Sequence, residues 1–143
     1  MTVTSGCVPP YISNFGVSSW EQCSNETDIH SVLKWNAVSH NVNACAVTGW
    51  SIRYASWPSY LGLPEADFRA PPHAVWSQPL DLPAIANSAS IAELNSTDYH
   101  IFQLSASLKT QPINKLVINS HIFYFQAQGG LLHRSLAVLL IRI

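Results

Sequence analysis

The stretch His100–Leu108, HIFQLSASL, decides the reading of the fold. Its residues alternate: His100, Phe102, Leu104, Ala106 and Leu108 fall on one side, and Ile101, Gln103, Ser105 and Ser107 on the other. A period of two marks a strand, because successive Cβ atoms point to opposite faces of a sheet. With one side mostly apolar and the other mostly polar, the stretch predicts a half-buried strand. Downstream, Pro112 in TQPIN interrupts the pattern, and KLVINSHIFYFQ, Lys115–Gln126, follows it. That run is rich in the β-branched and aromatic residues that suit a pleated surface. Gly129 and Gly130 supply the positive φ of a tight turn, and Leu131–Ile143 then returns as the third strand of an antiparallel meander. This last strand is apolar on both faces: Leu136, Val138 and Leu140 on one, Leu139 and Ile141 on the other. Both faces are expected to be covered, by a second sheet or by another copy of the chain, with Arg142 guarding the end against edge pairing.

Upstream, ACAVTGWSIRYASW, Ala44–Trp57, carries Ala46, Thr48, Trp50, Ile52 and Tyr54 on one side and Val47, Ser51, Arg53 and Ala55 on the other, which predicts a further strand. NETDIHSVLKWNAVSH, Asn25–His40, fits two periods. Ile29, Val32, Leu33 and Ala37 suit a helix capped by Asn25 or Asp28, while Leu33, Trp35 and Ala37 suit a strand, and we favour a strand over Ser31–Ser39. AIANSASIAEL, Ala84–Leu94, fits a short helix or a strand of small residues. Residues 56–83 hold six prolines, each of which removes a donor and biases its predecessor away from helix, so they form a long structured excursion. The expectation is an all-β protein in which residues 1–143 form one domain: an antiparallel sandwich or jelly-roll-like barrel of about seven or eight short strands.

The 143 residues, 48% of them apolar, are enough for one domain with a core that needs no metal or disulfide staple. Only 10% are charged, against about 25% in a typical soluble domain. Seven basic and eight acidic residues leave a formal charge of −1, so no basic field exists to hold a phosphate backbone, and nucleic acid is excluded as the main partner. The opening MTVTSGCVPPY has neither the cationic start nor the apolar stretch of a signal peptide. The chain is therefore read as cytosolic, already processed, or released by another route, with a virion or extracellular surface favoured. No membrane insertion is expected, since the longest apolar run, Leu136–Ile141, is too short for a spanning helix. No repeat or low-complexity tract occurs.

Cys7, Cys23 and Cys45 are an odd number, so at least one lacks an intrachain partner. They are expected as buried thiols acting as small apolar residues, with a single bridge among them as the alternative. Histidines stand at 30, 40, 73, 100, 121 and 133 without HxH or HExxH spacing, and a set made of Cys23, His30, His40 and Cys45 has irregular gaps, so no metal site and no cofactor is expected. His100, His121 and His133 fall in or beside strands of one meander and are read as isolated polar positions, with a pH-sensitive interface as the alternative. GxSxG, GxGxxG and the phosphate-loop pattern are absent, and Asp98 with His100, or Glu65 with Asp67, are read as solvated loop residues. No enzyme is expected. Asn25-Glu-Thr and Asn95-Ser-Thr match the N-glycosylation triplet, which matters only in a secreted chain.

Four aromatic residues of the excursion, Trp57, Tyr60, Phe68 and Trp76, are candidate ligand contacts, because a sugar ring stacks on an indole while its hydroxyls take polar partners. The competing reading is that they anchor the excursion to the sandwich. In spacing, DFRAPPHAVWSQPLD, Asp67–Asp81, with Asn87 and Phe102 resembles the H-type lectins, a family of small trimer-forming β-sandwiches. Lys109 and His121 stand near where that family's later tryptophans would fall, so no binding residue is carried over. Sparse charge and a two-sided apolar strand point to a non-catalytic structural or assembly subunit, such as a virion coat, fibre-head or decoration protein, that associates with copies of itself as a trimer or larger. The alternative is a carbohydrate-binding module, with glycans as partners.

Overall fold

The computed structural model describes residues 7–22, 28–38, 43–64, 69–109 and 114–125. Within them the chain is an all-β sandwich of eight strands: β1 (Tyr11–Gln22), β2 (Asp28–Val38), β3 (Val47–Pro58), β4 (Val75–Trp76), β5 (Leu80–Leu82), β6 (Ser88–Asn95), β7 (Asp98–Leu108) and β8 (Asn114–Tyr124). The smaller sheet has the order β1-β2-β6, and the larger has β4-β3-β7-β8, with β5 paired to β3 as well. Every pairing of these strands is antiparallel.

Alternation builds the core. Ile29, Leu33 and Trp35 of β2 and Ala89, Ile91 and Leu94 of β6 pack with Trp50 and Ile52 of β3 and with Phe102, Leu104, Ala106 and Leu108 of β7. The expected face of β7 is thus the core face, and His100 is buried in line with it. Ile101, on the opposite side, is buried too, in a second cluster with Ala55, Trp57 and Ile122. That cluster lies on the outer face of the larger sheet, where Ala70 and Ala74 of the proline-rich excursion pack against it. Removing a large side chain from water is worth about 1.5–3 kcal/mol, so the excursion is held to the sheet by more than its backbone.

Residues 28–38 form a strand because Ile29, Ser31, Leu33 and Trp35 are all buried, a period of two that overrides the helical spacing of Val32 and Ala37. Residues 88–95 are likewise a strand rather than a helix. β1 has no counterpart in the sequence reading. Its pairing with β2 shifts between Ser13 and Gly16 and again between Val17 and Ser19, which destroys alternation and turns Phe15 inward at 8% exposure. Asn14 adopts φ 57° within the first irregularity, a left-handed conformation that asparagine tolerates better than most residues.

The cysteines depart from the leading expectation: Cys7 and Cys45 form a disulfide across a sequence separation of 38. Sequence spacing has no power to pair them, because their approach depends on residues 7–10 lying beside the entry to β3. Val8 bridges Ala44 in parallel, with its N–H donating to Asn43 O and its carbonyl accepting from Cys45 N. The last expected strand, Leu131–Ile143, with Leu136, Val138, Leu139, Leu140 and Ile141, lies outside the described residues, as does Cys23. Its predecessors β7 and β8 do pair as neighbours in antiparallel register.

Candidate functional site

The excursion returns to β3 as a broken edge. Val75 and Trp76 pair with Ser56 and Ala55, and Leu80–Leu82 pair with Ile52–Trp50. Between the two pieces, Ser77 N donates to Tyr54 O at 2.7 Å and Tyr54 N donates to Ser77 Oγ at 2.9 Å, so a side chain replaces one backbone acceptor of the ladder. Pro79 then removes a donor. Such interruptions discourage strand-on-strand addition along an edge. The side chains are another matter: Val75 is 72% exposed, Leu80 40% and Trp76 38%, on an edge whose one charged residue, Asp81, sits in β5.

Trp76 anchors a polar row. The Arg53 guanidinium carbon lies 4.2 Å from the Trp76 ring centroid, a cation–π contact that fixes both groups. Arg53 Nε donates to Gln103 Oε1 at 2.8 Å, and Gln103 Nε2 donates to Asn119 Oδ1 at 3.1 Å. These side chains stand in register on β3, β7 and β8, so the row crosses the outer face of the larger sheet. Sequence reasoning did not find it, because its members lie 50 and 16 residues apart and meet only through strand register.

Of the four candidate aromatic residues, Trp57 is 1% exposed, and its Nε1–H donates to Gly62 O at 3.0 Å. Its ring is committed to the packing beneath the excursion. Tyr60 is 85% exposed on the 3-10 turn Ser59–Leu61, with Leu61 and Leu63 also exposed beside it. Gly62, at φ 81°, closes that turn and donates to Ser59 O. Trp76 is at the edge already described, and Phe68 lies outside the described residues. Tyr60 and Trp76 thus present rings to solvent from two different parts of the excursion.

Behind Ser56 lies a buried histidine. His100 Nε2 is 2.9 Å from the carbonyl oxygen of Asn95, and Nδ1 is 2.9 Å from Ser56 Oγ. A carbonyl only accepts, so Nε2 carries the proton and the Ser56 hydroxyl donates to Nδ1. Burial lowers the His100 pKa to about 4, against a smaller opposing effect of the Asn95 carbonyl, so the ring is neutral at physiological pH. Phe102 stacks on it at 6.3 Å and Phe125 lies at 6.0 Å. Asp98, at the start of the same strand, has its carboxyl pKa raised by partial burial.

A serine–imidazole pair suggests nucleophilic chemistry only where a substrate reaches the hydroxyl. Two clefts among the described residues are lined by other side chains. One, of about 460 Å³, lies between β1 and β8 and is lined by Phe15, Gly16, Lys34, Asn119, His121 and Phe123 among others. The other, of about 420 Å³, opens beside Trp35, Trp50, Asn36, Ile85 and Asn87. Across the ladder His100 pairs with Phe123, so register sets it opposite an aromatic ring rather than opposite His121. Among the described residues, no three of His, Cys, Asp and Glu are gathered as a metal site would require, and Cys45 is engaged in the disulfide. No helix among them is long and apolar enough to cross a membrane.

No protein-family model matches the chain, and no curated protein matches it. The lectin-like spacing of Asp67–Asp81 therefore rests on those residues alone.

Proposed function

We propose that the protein is a non-catalytic structural subunit that associates with copies of itself through the side chains of the β4–β5 edge. The observation that carries this reading is the exposure of Val75, Leu80 and Trp76 on an edge with little charge. Single exposed apolar residues are ordinary, but three on one edge of a chain with 10% charged residues form a surface that a second copy can cover. The backbone interruption at Ser77–Pro79 suits a closed assembly, because it blocks open-ended strand addition while leaving side chains available. Virion coat, fibre-head and decoration proteins are the kinds of subunit that meet this description, and a trimer or larger ring is the expected state.

Light scattering coupled to gel filtration tests it. The intact protein is expected as a defined oligomer, and Val75→Lys with Leu80→Glu is expected to give a folded monomer by the same measurement and by circular dichroism. A monomeric wild-type protein overturns the proposal.

A second reading, a carbohydrate-binding module, is favoured by the partly exposed Trp76 ring at the end of a polar row that continues through Arg53, Gln103 and Asn119. A glycan array distinguishes it: saturable binding that is lost in Trp76→Ala supports a sugar surface, and a silent array removes it.

A further inference from the structure

The β6–β7 connection passes from one sheet to the other through two residues, Ser96 and Thr97, in a turn closed by the amide that precedes it. Asn95 ends β6, and its side chain is exposed. Its Oδ1 accepts two hydrogen bonds, from Thr97 N at 2.9 Å and from Thr97 Oγ1 at 2.8 Å. Its Nδ2 makes no hydrogen bond among the described residues. The backbone behind it is held as well, because the Asn95 carbonyl accepts from the buried His100 and Thr97 O accepts from Ser59 N at 3.2 Å. The result is an exposed amide whose oxygen is pinned by the backbone N–H and the hydroxyl of Thr97. The same residues spell Asn-Ser-Thr.

A second observation concerns the compartment. A disulfide joins Cys7 to Cys45, and such bonds persist where the surroundings are oxidising, as in the lumen of the secretory path. N-linked sugars are added in that lumen. Two independent features therefore point to the same environment, one from thiol chemistry and one from the form of an exposed turn.

We propose that Asn95 is an N-glycan acceptor. The co-substrate is an oligosaccharide joined through pyrophosphate to a polyisoprenoid lipid. Asn95 Nδ2 attacks the anomeric carbon of the first sugar, a new N–C bond forms, and the C–O bond to the pyrophosphate breaks. The lipid pyrophosphate leaves with the bonding electrons, and the proton lost from Nδ2 passes to a base of the transferase. No oxidant or reductant enters. The glycan emerges beside the turn Ser59–Leu61, since Ser59 is bonded to Thr97, and it shields the exposed Tyr60 and Leu61 from water. The β4–β5 edge assigned to self-association is left to the partner copy. The inference does not depend on that assignment.

The test is expression of the full chain behind a cleavable secretory leader in cultured eukaryotic cells, in an Asn25→Gln background so that one triplet remains. Retained and secreted protein are both digested with a peptide N-glycosidase, which converts a glycosylated asparagine to aspartate, and the peptide containing residue 95 is weighed. Conversion at Asn95 is the expected result, with the glycan lost in Thr97→Ala and kept in Thr97→Ser. Asn95→Asp retains an oxygen for Thr97 but lacks Nδ2, so it is expected to fold and carry no sugar, which separates loss of the acceptor from loss of the turn. An unmodified Asn95 in protein whose Cys7–Cys45 bond has formed overturns the proposal. Because the readout is a peptide mass, it stands apart from the oligomeric state on which the assembly reading rests.

Discussion

Two rows of side chains cross the outer face of the larger sheet, four positions apart along β3, and they have opposite characters. One is aromatic: Trp57 lies 5.9 Å from Tyr99, and Tyr99 lies 5.0 Å from Tyr124. The other is polar: Trp76, Arg53, Gln103 and Asn119 are joined by one cation–π contact and two hydrogen bonds. Both cross β3, β7 and β8; the β3–β7 register is common to them, whereas the β7–β8 pairing shifts between Ile101 and Gln103, that is, between the two rows. The aromatic row is flanked by Ile101 and Ile122, and the excursion lies over that cluster through Ala70 and Ala74. The polar row is hydrogen-bonded along its length, and the ring of Trp76 at its end joins it to the excursion. A single face of one sheet thus acts as core at one end and as surface at the other, and the difference lies in what each row asks of its surroundings. Aromatic rings need cover, whereas paired amides and a guanidinium do not.

The largest effect expected from breaking this contrast comes from Trp57→Ala. It empties the covered end and removes the indole donor to Gly62, and it should cost about 3–5 kcal/mol, read as a lowered urea midpoint. An effect below about 1 kcal/mol would show that the excursion does not depend on the aromatic row.

A smaller loss is expected from acid, because the covered end shares β7 with His100. The unfolded histidine binds a proton near pH 6.5 and the folded one only near pH 4, so above pH 6.5 the group contributes no pH dependence. Between pH 6.5 and 4 the unfolded state binds more protons and stability falls with pH, by about 3 kcal/mol in all, levelling off below. Urea titrations across that range measure the slope. His100→Phe should lower stability at neutral pH by leaving Ser56 and the Asn95 carbonyl without their partner, yet flatten this part of the acid dependence.

The smallest effect belongs to the polar row. Gln103→Ala breaks both of its hydrogen bonds, but water replaces them at a partly exposed position, so a cost of about 1 kcal/mol or less is expected in thermal melts. A loss as large as that of Trp57→Ala would mean that the two rows differ less than their chemistry implies.

Much of the architecture was legible because β3 and β7 bury one face each over a long run, so period-two patterning survives in HIFQLSASL and WSIRYASW. β1 was not legible, since two irregularities scramble its period, and β4 and β5 are too short to show one. The aromatic residues of the excursion could be picked out by type, but type alone does not separate the buried Trp57 from the exposed Tyr60. Arg53, Gln103 and Asn119 were out of reach for a different reason: each is an unremarkable polar residue until strand register sets it beside the next. The turn at Asn95 was visible as a triplet, while the pinning of its oxygen by Thr97 belongs to the fold.

The disulfide near the start of the described chain also has a mechanical meaning. Tension applied at the N-terminal side does not travel through β1 and β2, because the Cys7–Cys45 bond hands it directly to the residues that lead into β3. Those first two strands sit inside a closed loop that bears no load. The pull arrives instead at a strand paired along nearly its whole length with β7, where many hydrogen bonds must shear together before any one of them yields.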